Sequence, residues 1–278
     1  LQYTGGTTGI AKGAVLTHGS ITSNMMQTFA FLSTVLQIGR ETLICPLPLY
    51  HVFAFGLSCM GMMLGMHTIL ITDPRDTQSV IDEMRKYPFT AMMGINSLFV
   101  ALLNHPNIKT VDFSTLKLTI SGGSLIQPHI ARQWRLLTGC TVCDGYGMTE
   151  ASPVISMNPP QEIQEGTIGL PVSNTFIRIV GEDNQDCPLG ECGELWVKGP
   201  QLMKGYWRHA QATADTLTFD GWLKTGDIAL IQPDGYLRIV DRKKDIISVN
   251  GFNVYPNEIE SVLNEHPAIL ESAAVGMV

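Results

Sequence analysis

Leu1-Gln-Tyr-Thr-Gly-Gly-Thr-Thr-Gly-Ile-Ala-Lys-Gly13 opens the chain, and the remaining sequence is best understood around this glycine- and threonine-rich stretch. Glycine lets the backbone approach a ligand closely, and successive exposed N–H groups can form a concavity that binds anions. Threonine hydroxyls and the Lys12 ammonium add further donors. The pattern therefore predicts a loop that holds a polyphosphate, formed by Thr4, Gly5, Gly6, Thr7, Thr8, Gly9 and Lys12.

Two simpler interpretations of this stretch are weaker. A hairpin turn between paired strands at Leu1–Thr4 and Ala14–Thr17 would also use glycine, but it would not require three threonines and a lysine. In the Walker P-loop the lysine precedes Ser or Thr, whereas Lys12 precedes Gly13. The stretch thus indicates a phosphate loop of another kind.

Composition narrows the class of protein. The 278 residues are enough for one large domain or two, and 45% hydrophobic with 15% charged residues is ordinary for a soluble globular protein. The formal net charge of −7 argues against sequence-independent binding of nucleic acid, which requires a basic face.

Two cysteine pairs, Cys140 with Cys143 and Cys187 with Cys192, could be interpreted as two zinc half-sites. No histidine lies near either pair in the sequence. Small buried thiols are therefore the favoured interpretation.

The run Thr42–Thr72 contains no charged residue and includes Gly61 and Gly65, at the spacing of a membrane-helix dimer face. Prolines and a β-branched end interrupt the run, and the remaining segment, Phe53–Leu64, is too short to span a bilayer. We expect a buried helix followed by a strand.

The first part of the chain alternates between strand and helix patterns. Apolar residues at helical spacing from Ile21 to Leu36 predict a helix directly after the glycine-rich stretch. Further strands and helices then alternate, which indicates an α/β fold with βαβ units and a largely parallel sheet. The predicted strands are Thr42–Leu47, Phe89–Met93, Leu116–Ser121 and Thr141–Asp144, and the helices are a segment capped by Asp76 that ends at Lys86, Ser97–Asn104 and Gln127–Thr138.

The pattern changes near Glu162. Short strand-like runs separated by Gly, Pro and Asp-Gly turns predict an antiparallel, barrel-like β subdomain. After the basic cluster Arg242–Lys244, a helix near Pro256–Glu265 suggests the start of a small α+β C-terminal domain. We divide the chain into an α/β part at 1–161, a barrel-like subdomain at 162–241, a hinge at 242–244 and the start of a C-terminal domain at 245–278. The runs assigned to the barrel are Thr167–Pro171, Thr175–Val180, Gly193–Lys198, Ile228–Gln232 and Tyr236–Val240.

A second candidate loop, Asp144-Gly-Tyr-Gly-Met-Thr-Glu150, follows a predicted strand. Ligands of open α/β sheets bind at the carboxyl ends of strands. Tyr146 can stack on a purine, Thr149 offers a hydroxyl to a phosphate, and Glu150 is an oxygen ligand suited to Mg²⁺. Taken alone, a turn with a solvated Thr-Glu pair is an equally good interpretation.

The two loops together resemble the signature motifs of the acyl-adenylate-forming enzymes, which include acyl-CoA synthetases, luciferases and peptide-synthetase adenylation domains. The residues on both sides are most similar to bacterial long-chain fatty acid–CoA ligases, and the resemblance covers the chain from Leu1 to Val278. It implies an AMP-forming acid–thiol ligase: a carboxylate attacks the α-phosphorus of ATP, pyrophosphate leaves, and coenzyme A then displaces AMP. A medium-chain or aryl-CoA synthetase, and a nucleotide-binding module without ligase activity, are the alternatives.

The resemblance also implies roles for individual residues. Lys12 would stabilise the leaving group, His51 would gate the thiol route, and Thr149 and Glu150 would hold the α-phosphate and the metal. Lys244 would be the pivot of a hinge. The positions implied to bind nucleotide or coenzyme A, besides the glycine-rich stretch, are Gly122, Gly123, Ser124, Asp144, Gly145, Tyr146, Gly147, Met148, Asp227, Ile239, Arg242, Gly251 and Phe252.

The implied cofactors are ATP/AMP, Mg²⁺ and coenzyme A, with a fatty acid as substrate, no nucleic acid partner and a cytoplasmic location. The resemblance leaves open a peripheral contact with the inner face of the membrane and a homodimer. Because the chain starts without Met and stops in the apolar run Ile269–Val278, we expect a fragment. It would lack half of the large domain and the C-terminal lysine of the family, and be inactive alone.

Overall fold

The computed structural model describes residues 1–4, 11–249, 252–264, 266, 268–269 and 272–276. The chain forms two compact units. The first comprises Leu1–Thr175 with Gly199–Asp215, and the second comprises Phe176–Lys198 with Thr216–Val278. The four-part division predicted from the sequence stays a prediction.

Two short antiparallel strands, β1 (Gln2–Thr4) and β2 (Lys12–Ala14), flank the glycine-rich stretch. Thr4 lies opposite Lys12 in this pairing. The flanks therefore pair as the hairpin interpretation expected, although the second strand lies earlier than Ala14–Thr17. Residues 5–10, which include five of the predicted phosphate-binding positions, lie outside the described residues.

A seven-stranded sheet forms the centre of the first unit, in the order β4-β3-β5-β6-β7-β8-β9. The pairs from β4 through β7 are parallel, and the pairs β7–β8 and β8–β9 are antiparallel. This confirms the predicted α/β fold with a largely parallel sheet. The strands are β3 (Thr42–Cys45), β4 (His67–Leu70), β5 (Ala91–Gly94), β6 (Leu118–Ser121), β7 (Val142–Gly147), β8 (Val154–Met157) and β9 (Leu170–Pro171).

Five helices cover this sheet, and alternate strand residues show that both of its faces are buried. On β3, Ile44 joins a core cluster with α3, α4 and α5, whereas Leu43 and Cys45 join a second cluster with α1 and α2. A sheet buried on both faces explains the continuous apolar runs in its parallel strands. The helices are α1 (His18–Leu32), α2 (Val52–Met63), α3 (Thr77–Lys86), α4 (Asn96–Asn104) and α5 (Pro128–Thr138), with 3₁₀ turns at Pro106–Thr110 and Thr149–Ala151.

Local capping chemistry sets several of these boundaries. As predicted, Asp76 caps α3, since its Oδ1 accepts a hydrogen bond from the Ser79 N–H at 3.1 Å. Pro128 occupies the first turn of α5, and Gly139 ends that helix in the left-handed region at φ +73°.

The predicted helix after the glycine-rich stretch is present as α1, and its buried face includes polar residues that the apolar spacing did not indicate. The fully buried positions are mainly polar, namely Ser20, Asn24, Gln27, Thr28 and Leu32, while the apolar residues of the predicted stripe, from Ile21 to Phe29, are only partly buried. Asn24 makes two hydrogen bonds with the backbone of Val154, accepting from its N–H at 2.9 Å and donating to its carbonyl at 2.7 Å. This face binds neighbouring loops through hydrogen bonds, so hydrophobic periodicity alone does not identify it.

The uncharged run Thr42–Thr72 forms β3, α2 and β4, which confirms the predicted helix followed by a strand. Eight of the twelve residues of α2 are buried, among them Phe53 and Leu57. No helix in the described part of the chain has both the length and the apolar character needed to cross a membrane.

The second unit contains antiparallel sheets, as predicted for the later strands. Four strands pair in the order β10-β11-β12-β13, and two more form a separate pair. The predicted strand at Thr167–Pro171 is present only at its end, as β9 in the first unit. The elements of the second unit are β10 (Phe176–Val180), β11 (Gly193–Lys198), β12 (Leu223–Ile231), β13 (Leu237–Arg242), β14 (Ile247–Val249), β15 (Phe252–Val254) and α7 (Pro256–Asn264). Helix α6 (Ala210–Thr216) belongs to the first unit except for its last residue.

Candidate active site

The strand that carries Lys12 is held by a segment almost two hundred residues further along the chain. Residues 204–207 run beside β2, with Tyr206 opposite Ala14. Three backbone hydrogen bonds of 2.8–2.9 Å join them: Val15 N–H to Gly205 O, Lys204 N–H to Val15 O, and Trp207 N–H to Gly13 O. The position of β2, and with it Lys12, thus depends on this segment.

Glu150, the last residue of the second candidate loop, lies on the 3₁₀ turn Thr149–Ala151 and is 5% exposed. Its Oε1 accepts a hydrogen bond of 2.6 Å from the Tyr206 hydroxyl. Its backbone carbonyl accepts another, of 2.8 Å, from the Met203 N–H. The structure therefore fixes the predicted metal ligand from both its side chain and its backbone.

Lys12 and Glu150 contact the same residue. The Nζ of Lys12 lies 5.0 Å from the centroid of the Tyr206 ring, within the range of a cation–π interaction. Lys12 and Glu150, distant in sequence, are thus brought together around one tyrosine.

The remaining positions of the second loop lie on β7 and directly after it. Ser121 at the end of β6 pairs with Asp144 on the parallel strand β7, so Gly122, Gly123 and Ser124 leave the sheet at the same edge. Tyr146 lies opposite Ser156 of the antiparallel strand β8, and Gly145 opposite Met157. This edge is where ligands of open α/β sheets bind.

Gly147 is required by the packing of this loop. A Cβ at this position would lie 2.1 Å from the carbonyl oxygen of Pro153, so no side chain fits. The same carbonyl accepts a hydrogen bond of 3.0 Å from the Met148 N–H. The close approach sets the backbone path from Tyr146 to Thr149.

Asp144 is an unusual carboxyl group at this edge of the sheet. It is 8% exposed, and burial raises its pKa to about 7, against the opposing influence of the Ser121 side chain and the Ile126 backbone. Within the described residues its buried Oδ1 has no hydrogen-bond partner. Near neutral pH this group therefore changes its charge readily.

His51 lies at the same edge, after β3, and its side chain is exposed. It is the N-cap of α2, with Nδ1 accepting a hydrogen bond of 3.3 Å from the Phe53 N–H. The side-chain amide of Gln2, on β1, donates to the carbonyl of the adjacent Tyr50. The first turn of α2 also contacts the loop after β6, because a Cβ at Gly122 would lie 3.1 Å from the Phe53 ring.

In the second unit, Asp227 on β12 lies directly opposite Arg242 on β13. The Arg242 Nε is 3.7 Å from the Asp227 Oδ1, and the Asp227 side chain is 17% exposed. Gly226, which precedes Asp227 within β12, has a φ of +75°, a conformation that favours glycine. The structure thus pairs the two residues to which the resemblance assigns ribose contacts.

The other predicted positions of the second unit are more dispersed. Ile239 lies on β13 and is half-buried, and Lys244 lies in the turn after β13, with Nζ 3.9 Å from Asp245 Oδ1. Phe252 begins β15, and only its backbone is described. Gly251, like Gly5, Gly6, Thr7, Thr8 and Gly9, lies outside the described residues.

The donors that could hold a magnesium ion are few. No group of three or more His, Cys, Asp or Glu side chains in the described ranges forms a cage for a metal ion. Mg²⁺ in proteins is commonly held by one or two carboxylates together with substrate phosphates. The single carboxylate of Glu150, with the Thr149 hydroxyl beside it in sequence, fits that arrangement.

Sequence reasoning missed Tyr206, which contacts both Lys12 and Glu150. The sequence gives only a general indication, since the hydroxyl of a partly buried tyrosine usually requires a polar partner. Nothing in the local sequence identifies that partner as Glu150, 56 residues earlier.

A family profile described as "AMP-binding enzyme" matches residues 1–207. The long-chain-fatty-acid–CoA ligase of Yersinia pestis is 52% identical over 279 aligned positions, which cover all of this chain and 50% of that protein. The chain thus spans about half the length of the curated relatives that it matches.

Two solved structures show the same fold. ATP-bound MatB from Rhodopseudomonas palustris superposes with a TM-score of 0.89 at 32% identity, over 99% of this chain and 54% of that one. The O-succinylbenzoate coenzyme A synthetase of Bacillus subtilis, in complex with ATP and magnesium ion, superposes with a TM-score of 0.88 at 29% identity. The match covers 100% of this chain and 57% of that one.

Proposed function

The chain belongs to the AMP-binding enzyme family, and on that premise we propose that the protein is a long-chain fatty acid–CoA ligase. It would activate the fatty acid as its acyl-adenylate with ATP and then transfer the acyl group to coenzyme A. The observation that carries this proposal is the contact of Lys12 and Glu150 with the same tyrosine. A cationic and an anionic group held at one place suit a magnesium-bound polyphosphate.

Adenylation requires positioning and charge stabilisation, because a carboxylate oxygen must attack the α-phosphorus while pyrophosphate leaves. Lys12 would bind the departing pyrophosphate together with the backbone of the glycine-rich stretch. Thr149 would donate its hydroxyl to the α-phosphate, and Glu150 would hold Mg²⁺ through its carboxylate. When bound, Mg²⁺ supplies charge neutralisation at the phosphate oxygens.

The resemblance assigns nucleoside binding to Tyr146 and to the pair Asp227 and Arg242. Tyr146 offers an aromatic face for the adenine, next to the glycines that follow β6. Asp227 would accept hydrogen bonds from the ribose hydroxyls, with Arg242 as a second contact. The hydrogen-bonding capacity of a carboxylate beside a guanidinium suits this diol.

Thioester formation would follow when the coenzyme A thiol attacks the acyl carbonyl and AMP leaves. His51 would gate the thiol route. Its exposure at the N-terminus of α2, and the closeness of Phe53 to the loop after β6, support this role. Gly251 and Phe252 would approach the pantetheine arm. A cytoplasmic location belongs to the same proposal, which leaves open membrane contact and dimer formation.

The test is exchange of labelled pyrophosphate into ATP by the full-length protein. We expect exchange that depends on a long-chain fatty acid and is lost in Lys12→Ala, whereas Lys109→Ala, an exposed lysine far along the chain, retains it. Exchange in the absence of any acid, or none with any acid, would reject the proposal. A panel of fatty acids of graded length and aromatic acids then separates long-chain from medium-chain and aryl substrates.

A further inference from the structure

We propose that Tyr206 is a positioning residue for this reaction: it holds the Lys12 ammonium and the Glu150 carboxylate close together without letting them neutralise each other. The inference rests on the proposed function, because it gives the two charged groups their tasks. It adds a residue outside both signature loops.

The Tyr206 hydroxyl fixes the Glu150 carboxylate. The 2.6 Å distance between the Tyr206 oxygen and Glu150 Oε1 is that of a strong hydrogen bond to a carboxylate. Glu150 is buried, so an unpaired Oε1 would be unfavourable, and the tyrosine fixes the rotamer of the carboxylate. With Oε1 engaged by Tyr206, Oε2 is the oxygen that would hold a cation.

The Tyr206 ring contacts Lys12. Its face attracts the Lys12 ammonium at 5.0 Å through a cation–π interaction, which leaves the ammonium charge available to a phosphate. In the described part of the chain, no ion pair joins Lys12 to Glu150. A direct ion pair would occupy both groups with each other, and the intervening tyrosine prevents this.

The backbone around Tyr206 is also held in place and gives the residue little freedom. The Tyr206 N–H donates to the Thr213 Oγ1 at 2.8 Å, and Tyr206 pairs with Ala14, the last residue of β2. Three residues earlier, the Met203 N–H donates to the Glu150 carbonyl. The tyrosine is therefore anchored independently to the strand of Lys12 and to the turn of Glu150, as a positioning residue must be.

Two substitutions separate the two contacts. Tyr206→Phe keeps the ring beside Lys12 and removes only the hydroxyl, whereas Tyr206→Leu removes both. Trp207→Phe is the control, because it changes an exposed aromatic residue on the same segment. Circular dichroism and thermal unfolding establish that each full-length variant is folded.

The measurement is calorimetric binding of ATP with and without Mg²⁺. We expect Mg²⁺ to strengthen ATP binding to the wild type and to Trp207→Phe. In Tyr206→Phe this Mg²⁺-dependent gain should fall by about tenfold to a hundredfold, with ATP binding in EDTA unchanged. Tyr206→Leu should also weaken ATP binding in EDTA, since Lys12 loses its support.

The outcomes are distinguishable from those of the proposed function. If the wild type does not bind ATP, the proposed function fails and this inference fails with it. If the wild type binds ATP with a Mg²⁺-dependent gain that Tyr206→Phe fully retains, only the positioning role is overturned. Equal losses with and without Mg²⁺ in Tyr206→Phe would show a general structural role instead and would also overturn the inference.

Discussion

Asp227 and Arg242 lie opposite each other on neighbouring antiparallel strands, with the Arg242 Nε 3.7 Å from the Asp227 Oδ1. Arg242 is half-exposed while Asp227 is mostly buried, so the guanidinium orients a carboxylate that has little freedom of its own. The strand register holds the pair together, with Asp227 in the middle of β12 and Arg242 at the end of β13. This geometry suits a carboxylate that accepts hydrogen bonds from a diol.

We predict that Asp227→Ala weakens ATP binding by about 2–3 kcal/mol, the usual loss for hydrogen bonds to a charged group. Fatty-acid binding should change little, since the acyl chain does not contact this carboxylate in the proposed arrangement. Separate titrations of the full-length protein with each substrate measure this, with the exposed Asp183→Ala as control. Equal losses for both substrates would reject the ribose assignment.

The second prediction concerns the proposed pivot. Proline at 244 fixes its own φ near −65° and restricts residue 243, so Lys244→Pro should limit the rotation that the two half-reactions require. We expect acyl transfer to coenzyme A to fall by about tenfold more than acyl-adenylate formation. Lys244→Ala, which retains the backbone torsions, is the control. Proportional loss of both half-reactions would show that residue 244 is not the pivot.

The third prediction concerns an ion pair at the other end of the parallel sheet. Glu41 has a side chain with no exposed surface, and its carboxylate accepts hydrogen bonds from Lys117 Nζ at 3.2 and 3.4 Å and from the Gln37 N–H at 2.8 Å. Although burial opposes it, hydrogen bonds from Thr90, Gln37 and Lys117 lower the pKa of Glu41 below its ordinary value.

Because the pKa of Glu41 is lower in the folded than in the unfolded protein, its stabilisation is complete above the ordinary glutamate pKa of about 4.3. This stabilisation is lost as the pH falls through the lowered pKa of Glu41 in the folded protein. We therefore expect Glu41→Gln to reduce the free energy of unfolding by about 1–3 kcal/mol at pH 7, and the difference to shrink below pH 4.3. Denaturant titrations measure this, with Glu83→Gln, in a partly exposed pair with Lys86, as control. A difference that does not change with pH would contradict the assignment.

The fourth prediction concerns Asp144, whose contribution to stability changes with pH in the opposite direction to that of Glu41. Burial raises the pKa of Asp144 to about 7, so the folded state binds a proton that the unfolded state releases near pH 4. Stability contributed by this site falls as the pH rises from 4 to 7. Asp144→Asn should therefore become more stable than the wild type as the pH rises, by at most about 4 kcal/mol, and level off above pH 7. A variant equally destabilised at pH 5 and pH 8 would contradict the raised pKa.

Elements with strong local signals were predictable from the sequence. The strand Gly193–Lys198 and the helix from Asp76 to Lys86 were predicted at their observed positions, because an alternating pattern and a capping residue act over a few residues. The roles of the two glycine-containing loops stay predictions, which rest on residue types that suit phosphate and purine. Of the first loop, residues 5–10 remain outside the described part of the chain.

Contacts between distant segments were not predictable. The polar buried face of α1 depends on Val154, 130 residues from Asn24, and the partner of Glu150 is 56 residues later in the chain. A hydrogen bond between residues distant in sequence produces no periodic pattern in either segment. Helix α1 was consequently identified, but the role of its buried face was not.

The central claim, activation through an acyl-adenylate, is tested most directly by following the carboxylate oxygens. In the proposed mechanism one carboxylate oxygen bonds to the α-phosphorus, and thiol attack at the acyl carbonyl breaks the acyl carbon–oxygen bond, so that oxygen leaves with AMP. Full-length protein supplied with ¹⁸O-labelled long-chain fatty acid, ATP and coenzyme A should therefore release AMP that carries one ¹⁸O atom, detected by mass spectrometry. Recovery of the label in pyrophosphate or inorganic phosphate, or AMP without label, would contradict the account.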